Sequence, residues 1–486
     1  METPGHASTT GPEDGGPSLP PPLVHRAGVA PRGRSPGASA LVKVAVVGVL
    51  VALLQVPVVL IRGTLSEREA RRDEAVADIA STWGGAQTIT GPLLAVPYAY
   101  PARVQRETMT DGRIVKTDEI REMRGTAWFL PAVLEVEAQL EPSERYRGIF
   151  RTPVYAGDVS VRGHFEPDPA ALGLDGAVYD WAHARIVVVM SDPRGLRSTP
   201  TYESGESALQ FAPAARREGW SPTIEAAVAL DTPASARSPF TVRIEMQGAS
   251  RFAVSAVGAS NRVTFRSSWR DPSFDGRHLP VERTVAEDGF DARWETTYFG
   301  RSHPQQWVEQ PGRAGTRGAD LEESSLGVTL ATPVDAYRLV ERSLKYALLF
   351  IVLVFAVFFL FEVTAGASVH PVQYLMVGGA LMLFYLGFLA LGEFVAVGAA
   401  YGAAAAASTA LITGYSWAVL KTGGRTAVVG AGVAATYGCL YVILQMQDYA
   451  LLGGTLVLFV LLAAAMWFTR RLDWFRLGEG GARAPA

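Results

Sequence analysis

The sequence predicts an α+β membrane protein: six transmembrane helices, one N-terminal and five C-terminal, with a large β-sandwich-like domain inserted between the first and second. Three observations predict it. Of the 486 residues, 49% are hydrophobic and only 19% are charged, against about a quarter charged in typical soluble proteins. The deficit is local, because Tyr346 to Phe468 contains five formally charged side chains, Glu362, Glu393, Lys421, Arg425 and Asp448. Between Arg62 and Lys345 ordinary charge returns and short strand patterns replace the apolar runs.

In chain order, residues 1–40 are rich in Pro and Gly with almost no large apolar side chains, so they read as a disordered tail that cannot offset the entropy of ordering. Pro20-Pro21-Pro22 could dock an aromatic-lined groove, but the composition favours a solvated linker. Residues 41–61 form the first apolar run, interrupted by Lys43, Gln55 and Pro57. At about 1.5 Å per residue the run spans roughly 30 Å, the hydrocarbon thickness of a bilayer. It exceeds a signal-peptide core and lacks a small-x-small cleavage site, so it reads as an uncleaved anchor.

Residues 62–345 are the exported β-rich segment. It starts with a charged helix over Leu65–Thr82, where Glu67, Arg71 and Glu74 fall at helical spacing. Strand patterns follow, among them 128–138, 154–165, 185–190, 240–246, 251–256, 263–269 and 292–298, each ending near Gly, Pro, Asp or Asn. They suggest one large or two smaller sandwich units. Residues 346–468 hold five spans, about 346–363, 373–391, 394–412, 426–446 and 449–468, and residues 469–486 are a short tail. Gly398 and Gly402, followed by Ala403 to Ala407, give the fourth span a small-residue face for helix packing. Gly430-Ala431-Gly432 has no preceding strand and is not a dinucleotide loop.

If the chain crosses six times, Lys421 and Arg425 share a side with Arg470, Arg471 and Arg476, whereas the opposite turns carry Glu393 and Asp448. The positive-inside rule then places both termini in the cytoplasm and the β-rich segment outside, which in a cell with two membranes is the periplasm. A net charge of −3 argues against nucleic-acid binding. The single cysteine, Cys439, leaves no intramolecular disulfide partner. No Walker loop, His-Glu-x-x-His, Cys-x-x-Cys or Gly-x-Ser-x-Gly occurs, and the seven histidines lack metal-ligand spacing. The reading therefore carries no catalytic residue, no cofactor and no metal.

Several separated segments resemble the CreD family of inner-membrane proteins. They include Arg342-Ser343-Leu344-Lys345-Tyr346, Phe358-Phe359-Leu360-Phe361-Glu362, His370-Pro371-Val372-Gln373-Tyr374 and Gln447-Asp448-Tyr449. In the exported part they include Gln87-Thr88-Ile89-Thr90-Gly91-Pro92, Arg145-Tyr146-Arg147-Gly148-Ile149-Phe150 and Gly289-Phe290-Asp291-Ala292-Arg293-Trp294. The resemblance implies an envelope integrity protein linked in some bacteria to a two-component system, whose loss or excess alters envelope properties including colicin tolerance. It carries over no catalytic residue. The long Pro/Gly tail departs from the family pattern.

Three residues stand out as speculative functional positions. Glu362 ends the second span and reads as an interfacial or helix-packing carboxylate, with an ion or proton role as the alternative. Glu393 lies in a short turn and reads as solvated. His370, before Pro371, reads as a helix start, with pH sensing as the alternative. Asp448 reads as the cap of the sixth span. Trp269, Trp294 and Trp307 read as sandwich core rather than a sugar platform, Trp307 being the one with a claim to exposure. The expected function is a non-enzymatic membrane protein whose β-domain binds an envelope component or periplasmic protein. The partners are thus the lipid bilayer and that component, with oligomeric state open. The alternative is a small transporter or lipid-handling protein using Glu362 and Glu393.

Overall fold

A computed structural model describes residues 36–110, 113–309, 318–331, 336–365, 369–446 and 450–470. Helix α1 (Pro36–Leu53) begins inside the expected tail, and α2 (Gln55–Trp83) follows after a one-residue break at Leu54. Pro57 explains the break, since it has no N–H to give the Leu53 carbonyl and its ring crowds that turn. Gln55, the other polar interruption, donates to the Val51 carbonyl at 3.2 Å. Together they make one continuous rod, Val42–Trp83, of 42 residues. That is about 63 Å long at 1.5 Å per residue, twice a hydrocarbon core, so half of it must stand clear of the apolar layer.

Beyond Gly84 the chain enters two sheets. The first four strands are two long hairpins: β1 (Gln87–Thr110) with β2 (Arg113–Phe129), and β3 (Pro131–Arg147) with β4 (Phe150–Phe165). The β1–β2 hairpin belongs to a 10-stranded sheet and the β3–β4 hairpin to an 8-stranded one. In the first sheet β1 also pairs parallel with Arg251–Ser255 and antiparallel with Ala184–Met190. In the second, β3 pairs parallel with Ser260–Ser267 and β4 antiparallel with Phe240–Ala249.

The run 128–138, expected as one strand, is therefore two. Pro131 cannot donate to a ladder, and at Leu130 the chain crosses between sheets, held there by Gln305, whose amide donates to the Leu130 and Pro131 carbonyls at 2.9 and 2.8 Å. Strand burial alternates where one face meets the core, as in Phe240–Ala249. Ile89, Leu93 and Val187 from one sheet meet Leu134, Val161 and Val242 from the other in one apolar core. The short helix α3 (Gly318–Glu322) adds Leu321 to that core.

The chain returns through α4 (Ala336–Lys345), which buries Tyr337, Val340 and Leu344. It bends by 54° into α5 (Ala347–Ala365), where the sequence is apolar as far as Phe361. Helices α6 (Pro371–Gly392), α7 (Val397–Leu420), α8 (Gly423–Gln445) and α9 (Ala450–Thr469) complete the helical part. Among the described residues, four helices are long and apolar enough to cross a membrane, or five when the bent α4–α5 pair is one span. A second apolar core unites α2, α4, α5, α6, α7 and α8.

Of the expected small-residue face of α7, Ala404 is buried in the helical core, where a Cβ on Gly387 of α6 would meet it at 3.7 Å, while the glycines stand off. A Cβ on Gly402 would meet nothing within 4 Å, and one on Gly398 would meet only the Tyr441 hydroxyl at 3.5 Å. The tight positions are Gly378, against Leu54 at the α1–α2 break, and Gly430, 2.8 Å from the Thr413 hydroxyl. Gly430 lies within α8, as its lack of a preceding strand requires.

Candidate functional site

The described residues contain no group of three or more His, Cys, Asp or Glu placed to hold a metal. An ionisable constellation lies instead where the α2 rod, the return helix α4 and the α6–α7 turn meet. Each element supplies one part. The apolar stripe of α2 (Val58, Ile61, Leu65) packs into the helical core, which leaves Arg62, Arg68 and Arg72 along the rod. Helix α4 is amphipathic, so burying Val340 and Leu344 also turns Tyr337 inward. The turn after Gly392 contributes Glu393.

Glu393 is not a solvated turn residue: its side chain keeps only 8% of its exposure. The Tyr337 hydroxyl donates to its Oε1 at 3.1 Å, and the Arg68 Nε lies 3.7 Å from the same oxygen. Arg72 stacks over the Tyr337 ring at 5.4 Å, and Arg62 donates to the Leu344 carbonyl at 3.1 Å. Burial, together with the Glu393 carboxylate, pushes the Tyr337 phenol up to about 12, so it remains a neutral donor at physiological pH. A shielded carboxylate held by one neutral donor and one cation has its acceptor oxygen partnered in place. Chemically, the arrangement is a clamp: it fixes the base of the β-domain's rod to the end of the helical bundle.

The remaining expected positions separate from this clamp. His370 is the N-cap of α6: its Nδ1 accepts from the Val372 N–H at 3.3 Å, and Gln373 Oε1 accepts from the His370 N–H at 3.0 Å. That reciprocal pair is a capping box, which accounts for His370 as a helix start. Glu362 lies in α5, with its side chain outside the described residues, as does the whole of Asp448. Trp294 is fully buried. Trp307 is buried too, stacked 6.0 Å from Trp128, and Trp269 packs against the core while donating to the Ala331 carbonyl at 3.0 Å.

Arg68 and Tyr337 were not visible as site residues in the sequence. The available signal was a lone acid between two apolar spans and a tyrosine on the buried stripe of α4. A second polar cluster lies inside the β-domain, where burial and the Arg301 guanidinium pull His303 down to about 4. Its Nε2 faces the Ser324 hydroxyl at 3.3 Å. Kept neutral in this way, His303 reads as a satisfied core histidine.

Two contacts, one of them already described, fix which helix ends lie together. Glu393 joins the α6–α7 turn to the rod, and Arg342 of α4 donates to the Met446 carbonyl at the end of α8, at 3.2 Å. The α6–α7 turn and the C-terminal end of α8 therefore sit at the β-domain end of the bundle.

A β-sandwich carried on a helical rod, clamped to a bundle with several apolar helices, defines a membrane protein with a stalked globular head. A family profile described as "Inner membrane protein CreD" matches residues 39–475. The chain is 30% identical over 425 residues to "Inner membrane protein CreD" of Escherichia coli (strain K12), covering 87% of this chain and 91% of that relative. The chain belongs to the CreD family of inner membrane proteins.

Proposed function

We propose that this protein is a six-span inner-membrane protein that holds a non-enzymatic β-sandwich on the periplasmic face, where the sandwich binds an envelope component and so contributes to envelope integrity. The observation that carries the reading is the clamp, because it joins the rod of the β-domain directly to the end of the helical bundle. Counting from that end, α5 leaves it, α6 returns at Glu393, α7 leaves, α8 returns at Met446, and α9 supplies the sixth crossing. The turn between α7 and α8 then carries Lys421 and Arg425 on the far side, with Arg470 at the end of α9. That asymmetry supports cytoplasmic termini and an exported head.

A binding role is supported by the satisfied state of the ionisable groups: Glu393 is clamped, His303 is packed neutral and His370 caps a helix. The test is photo-crosslinking in cells from exposed positions of the sandwich, such as Leu279 and Val178. The expected result is a discrete adduct with an envelope component. Turnover of cell-wall fragments by the purified protein, abolished by a single carboxylate substitution in the β-domain, would contradict the reading.

A further inference from the structure

The Arg145–Phe150 segment, one of the stretches that carries the family resemblance, has no part in the clamp. It forms the end of the β3–β4 hairpin, where Arg147 pairs with Phe150 across a two-residue turn. Gly148 takes φ +61° and Ile149 does not enter the left-handed region, the pattern of a tight hairpin turn with glycine first. The tip exposes an aromatic and an aliphatic side chain, Tyr146 at 65% and Ile149 at 41%. Residues 144–151 carry three arginines and one glutamate.

The position of this tip is fixed by α2. Arg145 stacks over the Trp83 ring at 4.3 Å, and Arg147 forms an ion pair with Asp78. Moving along β3 from 145 to 147 thus descends α2 from Trp83 to Asp78, toward the bundle. Arg68, at the clamp, marks the bundle's outer end, and Asp78 is ten residues further along the rod, about 15 Å at 1.5 Å per residue. The turn residues Gly148 and Ile149 take the tip lower still. The tip therefore lies on the bundle side of Asp78, less than about 15 Å from the bundle's end. Phe150 packs directly against the apolar core of the bundle.

We propose that the β3–β4 hairpin tip is a second membrane contact, resting on the bilayer surface with Tyr146 and Ile149 in the headgroup layer and its arginines against the phosphates of anionic lipids. Tyrosine suits that layer because it presents an apolar ring and a polar end. Arg147 and Arg151 remain 59% and 63% exposed although acidic side chains lie beside them, so both retain donors for phosphate oxygens. The hairpin and the α2 rod would then stand as two legs, holding the sandwich at a set tilt. The contact is independent of which side of the membrane the head occupies.

The test uses full-length protein in lipid nanodiscs with the one native cysteine replaced (Cys439→Ser) and a nitroxide attached in turn at Y146C, I149C and F299C. Phe299 is the reference. It is 82% exposed and follows Thr297, which pairs with Ser260 beside Val133, about 46 Å along β3 from the tip at 3.3 Å per residue. With nickel-chelating lipid in phosphatidylglycerol nanodiscs, the labels at 146 and 149 should broaden several-fold more than the label at 299. Exchanging phosphatidylglycerol for phosphatidylcholine should reduce that difference. Equal broadening at 149 and 299 would overturn the proposal, and broadening indifferent to lipid charge would overturn the arginine–phosphate contact. Dipolar coupling between tips that grows with protein concentration, without nickel broadening, would assign the tip to a second copy of the chain instead.

Discussion

Replacing Glu393 by lysine should release the return helix α4 from the rod. The substitution removes the acceptor of the Tyr337 hydroxyl and places a cation beside Arg68, in a position where the carboxylate is nearly shielded from water. Breaking a shielded charged contact costs about 3–5 kcal/mol. Arg68 is 39% exposed and can reorient into water, so about 3 kcal/mol is the fitting magnitude. Glu393→Gln keeps a carbonyl to accept from Tyr337 and should cost about 1 kcal/mol. Hydrogen exchange of the full-length protein in nanodiscs reads this locally, because clamp opening is a sub-global event. Amides of Ala336–Lys345 should exchange on the order of a hundred-fold faster in Glu393→Lys, since each 1.4 kcal/mol is a factor of ten. Exchange indistinguishable from the parent would mean that the turn is solvated, as its sequence alone suggests. A double-mutant cycle with Tyr337→Phe should return a coupling energy, because both residues act through one hydrogen bond.

The largest loss of stability in the head should come from Trp294→Ala. The indole is fully buried, lies 4.9 Å from the Phe265 ring and 5.8 Å from that of Phe274, and donates to the His278 carbonyl at 3.0 Å. Deleting it leaves a cavity the size of an aromatic ring and an unpaired carbonyl, together worth about 3–5 kcal/mol. Trp294→Phe should cost less, since it keeps most of the packing and loses the hydrogen bond. The check is the denaturant midpoint of the head, followed by protease susceptibility of the full chain. A tryptophan serving as a sugar platform would behave oppositely, because its removal would leave stability intact.

The features most legible in the sequence were those imposed by solvent. Lipid demands long runs without charge, so the boundaries of α6, α8 and α9 fall within about three residues of their expected positions. The strands that alternate, such as Phe240–Ala249, were equally plain. The first strand was not. Gln87–Thr110 carries Pro92, Pro97 and Pro101, which argue against a strand, and its Leu93–Val96 stretch is buried on both faces and so does not alternate. Tertiary pairing on both sides overrides those local signals.

The burial of Glu393 is hidden from the sequence for a related reason. A two-residue turn between spans looks solvated by itself, and its burial comes from Arg68 and Tyr337, which lie 325 and 56 positions earlier in the chain. Long-range contacts of that kind leave no local periodicity to detect. The expected small-residue face in α7 holds at Ala404, which is buried in the helical core, but not at Gly402, which faces open space; a tight glycine is Gly378 on α6, against Leu54. Composition can name residues that permit close approach, but it does not fix which face of a helix they occupy.

The central claim, a head held outside the cytoplasm by a rod clamped to the bundle, is tested most directly by a topology reporter that is active only outside the cytoplasm. One fusion inserts it at the exposed Gly205–Glu206 turn of the sandwich, and another appends it after Arg470. The first fusion should be active and the second silent. Activity after Arg470 together with silence at Gly205 would contradict it.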